Sequence, residues 1–377
     1  MVAKKDMDVE YKERGVDLEW DAFVDKTGGD IHQTSLWSEY EYNSKNWRGY
    51  RFIVKNENNI VAGCQISIIT IRFLGQIGYV QMGPCVNEKS SDTINIVIDE
   101  LKKFSRKNRL LYLIIAPNFK DADIVPHLEL KKFIVKKQSL PPAPRLDATL
   151  LLDLALSEDA LLAQMKSMRK RNIRKGLTMP VQFKEGSRKD LKTFYDLSVI
   201  TANRHKAAPG ISTLEGLYMI WDLMSPYGCI YLHEGVVEGE TVCGALSFAF
   251  GNTFQYTYWG WNCKYNDYYI SDVFQWNLIR YAKEKGYKYY DFVQLDLECV
   301  KAISSKSDVP DSIKQKNFYG PTLFKMQFGG SIVTYPSIYA YFPNRMKFFL
   351  IHKIAGSILA RINLKSVINF IYGLSRR

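Results

Sequence analysis

The stretch YRFIVKNENNIVAGCQISIIT, Tyr50 to Thr70, decides the fold. Two apolar runs flank a polar turn, so the segment reads as a β-hairpin. CIYLHEGVVEGETVCGALSFAF, Cys229 to Phe250, reads the same way, and its Val242-Cys243-Gly244 echoes Val61-Ala62-Gly63 of the first copy. Past each hairpin comes a further strand ending near a glycine, Gly83 in GYVQMGPCV and Gly260 in FQYTYWGWNC, 177 residues apart. An amphipathic helix follows in both places, SDTINIVIDELKKFSRKN and ISDVFQWNLIRYAKEKG. Then comes a strand, LLYLIIAP or YKYYDFVQLD, whose Tyr112 and Tyr289 are again 177 residues apart. A unit this long present twice is a duplicated α/β domain, because a solenoid needs shorter and more numerous repeats.

The chain has 377 residues, which suits two domains of about 150 to 200 residues. Its apolar share of 46% provides for two cores and excludes a disordered chain. The boundary falls in SLPPAPRLDATLLLDL, where Pro141, Pro142 and Pro144 stiffen a link. The expected domains are therefore 1–145 and 146–343, followed by a basic amphipathic tail, 344–377. Six cysteines lie apart from one another with no C-x-x-C pair, as core thiols of a reducing compartment do. The N-terminal residues carry charges throughout and no apolar run approaches the length of a membrane span, which predicts a cytoplasmic protein. Five histidines show no ligand spacing and so give no sign of a metal site, and no cofactor is expected.

The net charge is +12, and residues 345–377 hold seven Lys or Arg with no acid. Localised positive charge favours polyanionic partners: nucleic acid, nucleotide-linked substrates or anionic lipid. The tail has two readings, an interfacial helix on the inner face of an anionic membrane and a helix docked on the first domain. A second basic concentration is QMKSMRKRNIRKGL, Gln164 to Leu177, where Lys166, Arg169, Lys170, Arg171, Arg174 and Lys175 fall within ten residues. The pattern predicts one helix opening at Ser157 and closing at Gly176, with the cations on 158–175. Leu161, Leu162, Met165, Met168 and Ile173 project into one arc, and five of the six cations lie outside it. Like charges at i,i+4 repel unless something neutralises them, and phosphates of RNA or a pyrophosphate fit that requirement.

The segment ATLLLDLALSEDALLAQMKSMRKRNIRKGL resembles the strand and helix that open the second domain of the Fem-type (FemABX) peptidoglycan aminoacyltransferases. Arg171-Asn172-Ile173-Arg174-Lys175 carries most of that likeness. LFKMQFGG, Leu323 to Gly330, is similar to the family's F-K-x-x-F-G-G element, and HQTSLWSEYEY, His32 to Tyr42, to its N-terminal Q-S-x-x-W helix. The resemblance implies two tandem GNAT-like α/β domains with mixed sheets, in the compact form without a coiled-coil arm. It also implies transfer of an amino acid from aminoacyl-tRNA to the amine of a lipid-linked or nucleotide-linked peptidoglycan precursor. The six clustered cations would then bind tRNA phosphates. Lys325 would be the cation at the developing oxyanion, and Phe324 would line the aminoacyl end of the donor.

On the acceptor side the resemblance points to Arg204, which with His205 forms an Arg-His pair that some members carry. Where the family typically has a Lys shortly after the Trp, this chain has Glu41, with Lys45 nearby. Tyr256 and Tyr258, placed on one strand face by alternation, are further substrate candidates with core packing as the alternative. Two other functions stay open. One is an acyl-CoA N-acyltransferase acting on a surface-polysaccharide precursor, although no R/Q-x-x-G-x-G/A pyrophosphate loop precedes the duplicated helix. The other is a non-catalytic RNA-binding or membrane-surface protein.

Overall fold

The computed structural model describes residues 7–71, 75–87, 89–136, 148–205, 207–305 and 308–344. The chain forms two units, one from Met1–Pro144 together with the segment from Pro336, the other from Arg145–Tyr335. The first contains β1 (Met7–Glu13), β2 (Arg48–Asn56), β3 (Asn59–Ile71), β4 (Gly75–Gln81), β5 (Cys85–Val86), β6 (Leu113–Ala116) and β7 (Ile134–Val135). The second contains β8 (Ala148–Asp153), β9 (Gln182–Glu185), β10 (Ile230–Val237), β11 (Glu240–Phe250), β12 (Thr253–Trp261), β13 (Tyr289–Asp291) and β14 (Ser331–Thr334). A last strand, β15 (Tyr339–Tyr341), belongs to the first sheet.

The duplication is visible in the pairing. The hairpins are β2–β3 and β10–β11, each carrying a register shift near its turn, at Val54/Lys55 and at Gly235/Val236. In each sheet β4 or β12 pairs antiparallel with the hairpin and parallel with the strand that follows the helix, β6 or β13. A parallel neighbour needs a crossover, and the helices Ser91–Lys107 and Ile270–Glu284 supply it. Thr93, Ile94, Val97, Ile98, Leu101 and Phe104 of the first helix recur at three- and four-residue spacing and are all buried. The Ser90 side chain caps that helix by accepting from the Thr93 N–H, and Arg106 and Lys107 sit at its negative end.

One core packs Phe52, Val54, Ile66, Val80 and Leu101, the other Leu150, Leu152, Phe254, Phe274, Tyr290 and Phe328. Each such side chain contributes about 1.5–3 kcal/mol by leaving water. Five cysteines are buried free thiols and Cys263 is half-buried. Among the described residues no helix is long and apolar enough to cross a membrane.

The structure departs from the sequence reading in several places. Tyr339–Tyr341, assigned by sequence to the second domain, pairs with β6 and β7 of the first sheet. The single basic helix is two, Glu158–Gln164 and Ser167–Gly176, because Met165 and Lys166 take extended ψ values of 151° and 145°. The Lys166 N–H leaves the helical ladder and donates to the Gln327 carbonyl at 3.0 Å. The proline link and, from residue 345 on, the basic tail lie outside the described residues.

Candidate active site

The site is organised by the place where β12 and β13 part. They share three register positions, Thr253–Tyr289, Phe254–Tyr290 and Gln255–Asp291, after which β12 runs on to Trp261 while β13 stops. The chain turns sharply there, with Val293 and Gln294 both left-handed at φ 44° and 42°. A β-branched residue at positive φ is strained, so neighbouring contacts must hold it. Two do. Buried Asp291 accepts from the Val293 N–H at 2.8 Å and from the Thr149 hydroxyl. Opposite, the Lys325 ammonium donates to the carbonyls of Val293 at 2.8 Å and Gln294 at 3.3 Å.

Lys325 stands in the last turn of the helix Tyr319–Met326. Burial lowers its pKa to about 8, with the Asp291 carboxylate opposing the shift. An ammonium has three donors, so the two carbonyls leave one for a ligand. The double-glycine turn beyond the helix fixes both helix and cation. Gly329 and Gly330 have φ of 82° and 84°, and a Cβ on Gly330 would come 2.5 Å from the Leu151 carbonyl oxygen. Only glycine fits both the dihedral and the approach. The Gly330 N–H donates to the Gln164 side chain at 3.2 Å, tying this turn to the break before the basic helix.

Arg169 makes the second tie, and this corrects its assignment as a phosphate ligand. It is buried, paired with Asp272, and donates through Nε to Gln327 at 2.9 Å. Its guanidinium lies 4.2 Å from the ring centroid of Phe324 and 5.6 Å from that of Phe328. Its charge is spent inside the fold because it falls within the apolar arc of the helix, a signal the projection contained. Lys166, Arg171, Arg174 and Lys175 are exposed and Lys170 half-buried, with the Lys175 ammonium 5.8 Å from the Tyr269 ring centroid.

Tyr256 and Tyr258 do not share a face. A β-bulge between Leu246 and Ser247 pairs these residues with Tyr258 and Tyr256, so the extra residue Thr257 reverses the alternation. Tyr256 is buried in the core beside Phe292, while half-buried Tyr258 packs on Phe248 and over Gly210. Arg204 ends the helix Leu191–Arg204, over the Trp261 ring at 5.4 Å and in contact with the Cys263 sulfur. Its neighbour His205 has a lowered pKa, from burial first and the Arg204 charge second. In the first unit, Lys45 pairs with buried Glu41 at 3.3 Å and lies 4.4 Å from the Trp47 ring. Glu41 also accepts from the Ser67 hydroxyl at 2.6 Å, so Lys45 neutralises a buried carboxylate. Sequence reasoning missed Asp272, Asp291, Gln327 and the Val293–Gln294 turn.

Residues 16–209, half of the chain, match the FemAB family. The chain belongs to the FemAB family. Residues 163–298 also match an acetyltransferase (GNAT) domain, and the two sheets are tandem GNAT-like units. Aminoacyltransferase FemA of Staphylococcus aureus (strain bovine RF122 / ET3-1) is 24% identical over 160 residues. That segment spans 37% of this chain and 38% of FemA. The crystal structure of FemX superposes with a TM-score of 0.77 at 18% identity, over 91% of this chain and 100% of that one. A tandem GNAT protein from the clavulanic acid biosynthesis pathway superposes at 0.50 and 6% identity, over 89% of this chain and 99% of its own.

Proposed function

We propose that this FemAB-family protein is an aminoacyltransferase that moves an amino acid from aminoacyl-tRNA to the amine of a peptidoglycan precursor, lipid-linked or nucleotide-linked. One observation carries the reading: the basic helix and the Lys325 element, far apart in sequence, are joined through Arg169 to Phe324 and Gln327. A polyanion held by Lys166, Lys170, Arg171, Arg174 and Lys175 would bring its end to an apolar ring beside the half-buried Lys325 ammonium. Membership of the family of FemA supports the class of reaction.

In that reaction the acceptor nitrogen attacks the ester carbonyl, the C–N bond forms, and charge gathers on the carbonyl oxygen. The remaining N–H of Lys325 stabilises that oxyanion. The ester C–O bond then breaks, and the proton lost by the amine goes to the departing ribose oxygen. Arg204, a fixed cation at the end of β12, is suited to an anionic group of the acceptor, and Tyr258 to its packing.

The test is transfer of radiolabel from a pool of charged tRNA, and separately from acetyl-CoA, to cell-wall precursors and amino sugars. Transfer from tRNA that is lost in Lys325→Ala supports the reading. Transfer from acetyl-CoA alone overturns it in favour of acyl-CoA chemistry.

A further inference from the structure

A second charged feature lies in the first unit, outside the site described above. A cavity of about 590 Å³ has Lys102, Arg106, Lys131 and Lys132 around it, over the rings of Tyr341 and Phe342. Four cations share this space, and Asp99 pairs with one of them, Lys131, at 2.8 Å. Lys102 donates to the Lys131 carbonyl at 3.3 Å and sits 5.4 Å from the Tyr341 ring centroid. Burial and then the Arg106 charge lower its pKa, with the Asp99 carboxylate opposing the shift. Such a cluster is completed by an anion.

The surroundings identify which kind. Leu130 is 80% exposed, and Ile134 and Val135 of the edge strand β7 are 44% and 56% exposed. Large aliphatic side chains beside a basic cavity match no need of an RNA backbone, which takes cations and stacking rings. They match a lipid interface, where aliphatic groups enter the acyl boundary and cations meet headgroup phosphates.

We propose that this edge of the first unit docks on anionic phospholipid, with a headgroup phosphate in the cavity and Leu130, Ile134 and Val135 in the interface. None of its residues belongs to the second unit, which holds Lys325 and the basic helix.

The test is co-sedimentation of the full chain with vesicles of phosphatidylglycerol and phosphatidylcholine against vesicles of phosphatidylcholine alone. The wild type is expected to bind the first and not the second. Arg106→Glu with Lys132→Glu should weaken binding by at least about tenfold, on the scale of one lipid contact per cation. Leu130→Ser with Ile134→Thr should weaken it several-fold at unchanged salt dependence. All four positions are exposed, and far-UV circular dichroism verifies folding. Binding by both variants at the wild-type level would overturn the proposal, as would absence of wild-type binding. Variants that lose affinity for RNA and keep it for vesicles would overturn it in favour of a nucleic-acid surface.

Discussion

The guanidinium of Arg169 lies 4.2 Å from the ring centroid of Phe324, so the residue next to Lys325 is positioned by a cation on the basic helix. Arg169→Ala leaves the Asp272 carboxylate buried without its ion pair and is expected to cost about 3 kcal/mol in chemical denaturation. Arg169→Lys should rescue little, since Lys has neither the fork nor the planar stacking face. Arg171→Ala and Arg174→Ala, both exposed, should each change stability by less than about 0.5 kcal/mol. Under the proposed function, together they should reduce the salt slope of tRNA binding by about two.

Lys325 supplies a pH signature. With its folded pKa at about 8, the ammonium needed at an oxyanion is lost as pH rises through that value. Transfer activity should therefore decline above pH 8, and Lys325→Arg, charged throughout, should remove that limb from whatever activity it retains. Stability runs the other way. The unfolded lysine, near its ordinary 10.5, holds its proton where the folded one has lost it, so wild-type stability gains as pH rises from 8 towards 10.5. Any excess stability of Lys325→Met over wild type should shrink across that range.

Gly330→Ala forces a side chain into positive φ and against the Leu151 carbonyl, and should cost about 2 kcal/mol. Thermal unfolding measures it. Because the Gly330 N–H is bonded to Gln164, the same variant should lower transfer activity beyond what the melting temperature explains.

His233 on β10 is fully buried, packed on Phe183 at 5.1 Å and Tyr281 at 4.2 Å, with neither ring nitrogen bonded among the described residues. Burial lowers its pKa from 6.5 to about 3, with the Lys285 charge adding to the shift. Its neutral form is the folded one, so its contribution is present above pH 6.5 and is lost as pH falls towards 3, where only the unfolded chain takes up the proton. The slope should approach about 1.4 kcal/mol per pH unit, and His233→Phe should flatten it in denaturation curves taken between pH 6 and 4.

The duplicated core was legible because hairpins, glycines and an amphipathic helix each leave a period in the sequence. What escaped it depends on partners distant along the chain. The residues Tyr339–Tyr341 are too few to show a period, and their neighbours Ile114 and Ile134 lie some two hundred positions earlier. Tyr256 and Tyr258 look equivalent until the bulge shifts one of them to the other face. The Val293–Gln294 turn has no glycine to announce it, since side-chain and lysine contacts hold the strained backbone. The six cations read alike in composition, and only their angle on the helix sets Arg169 apart from the exposed ones.

Among the described residues β7 has β15 as its one neighbour in the sheet, and β15 also pairs with β6. During synthesis the first sheet therefore stands open at that edge while the whole of residues 145–335 emerges. The unit that comes second along the chain is complete before the one that comes first, and the ribosome must pass Tyr341 before the N-terminal sheet can close.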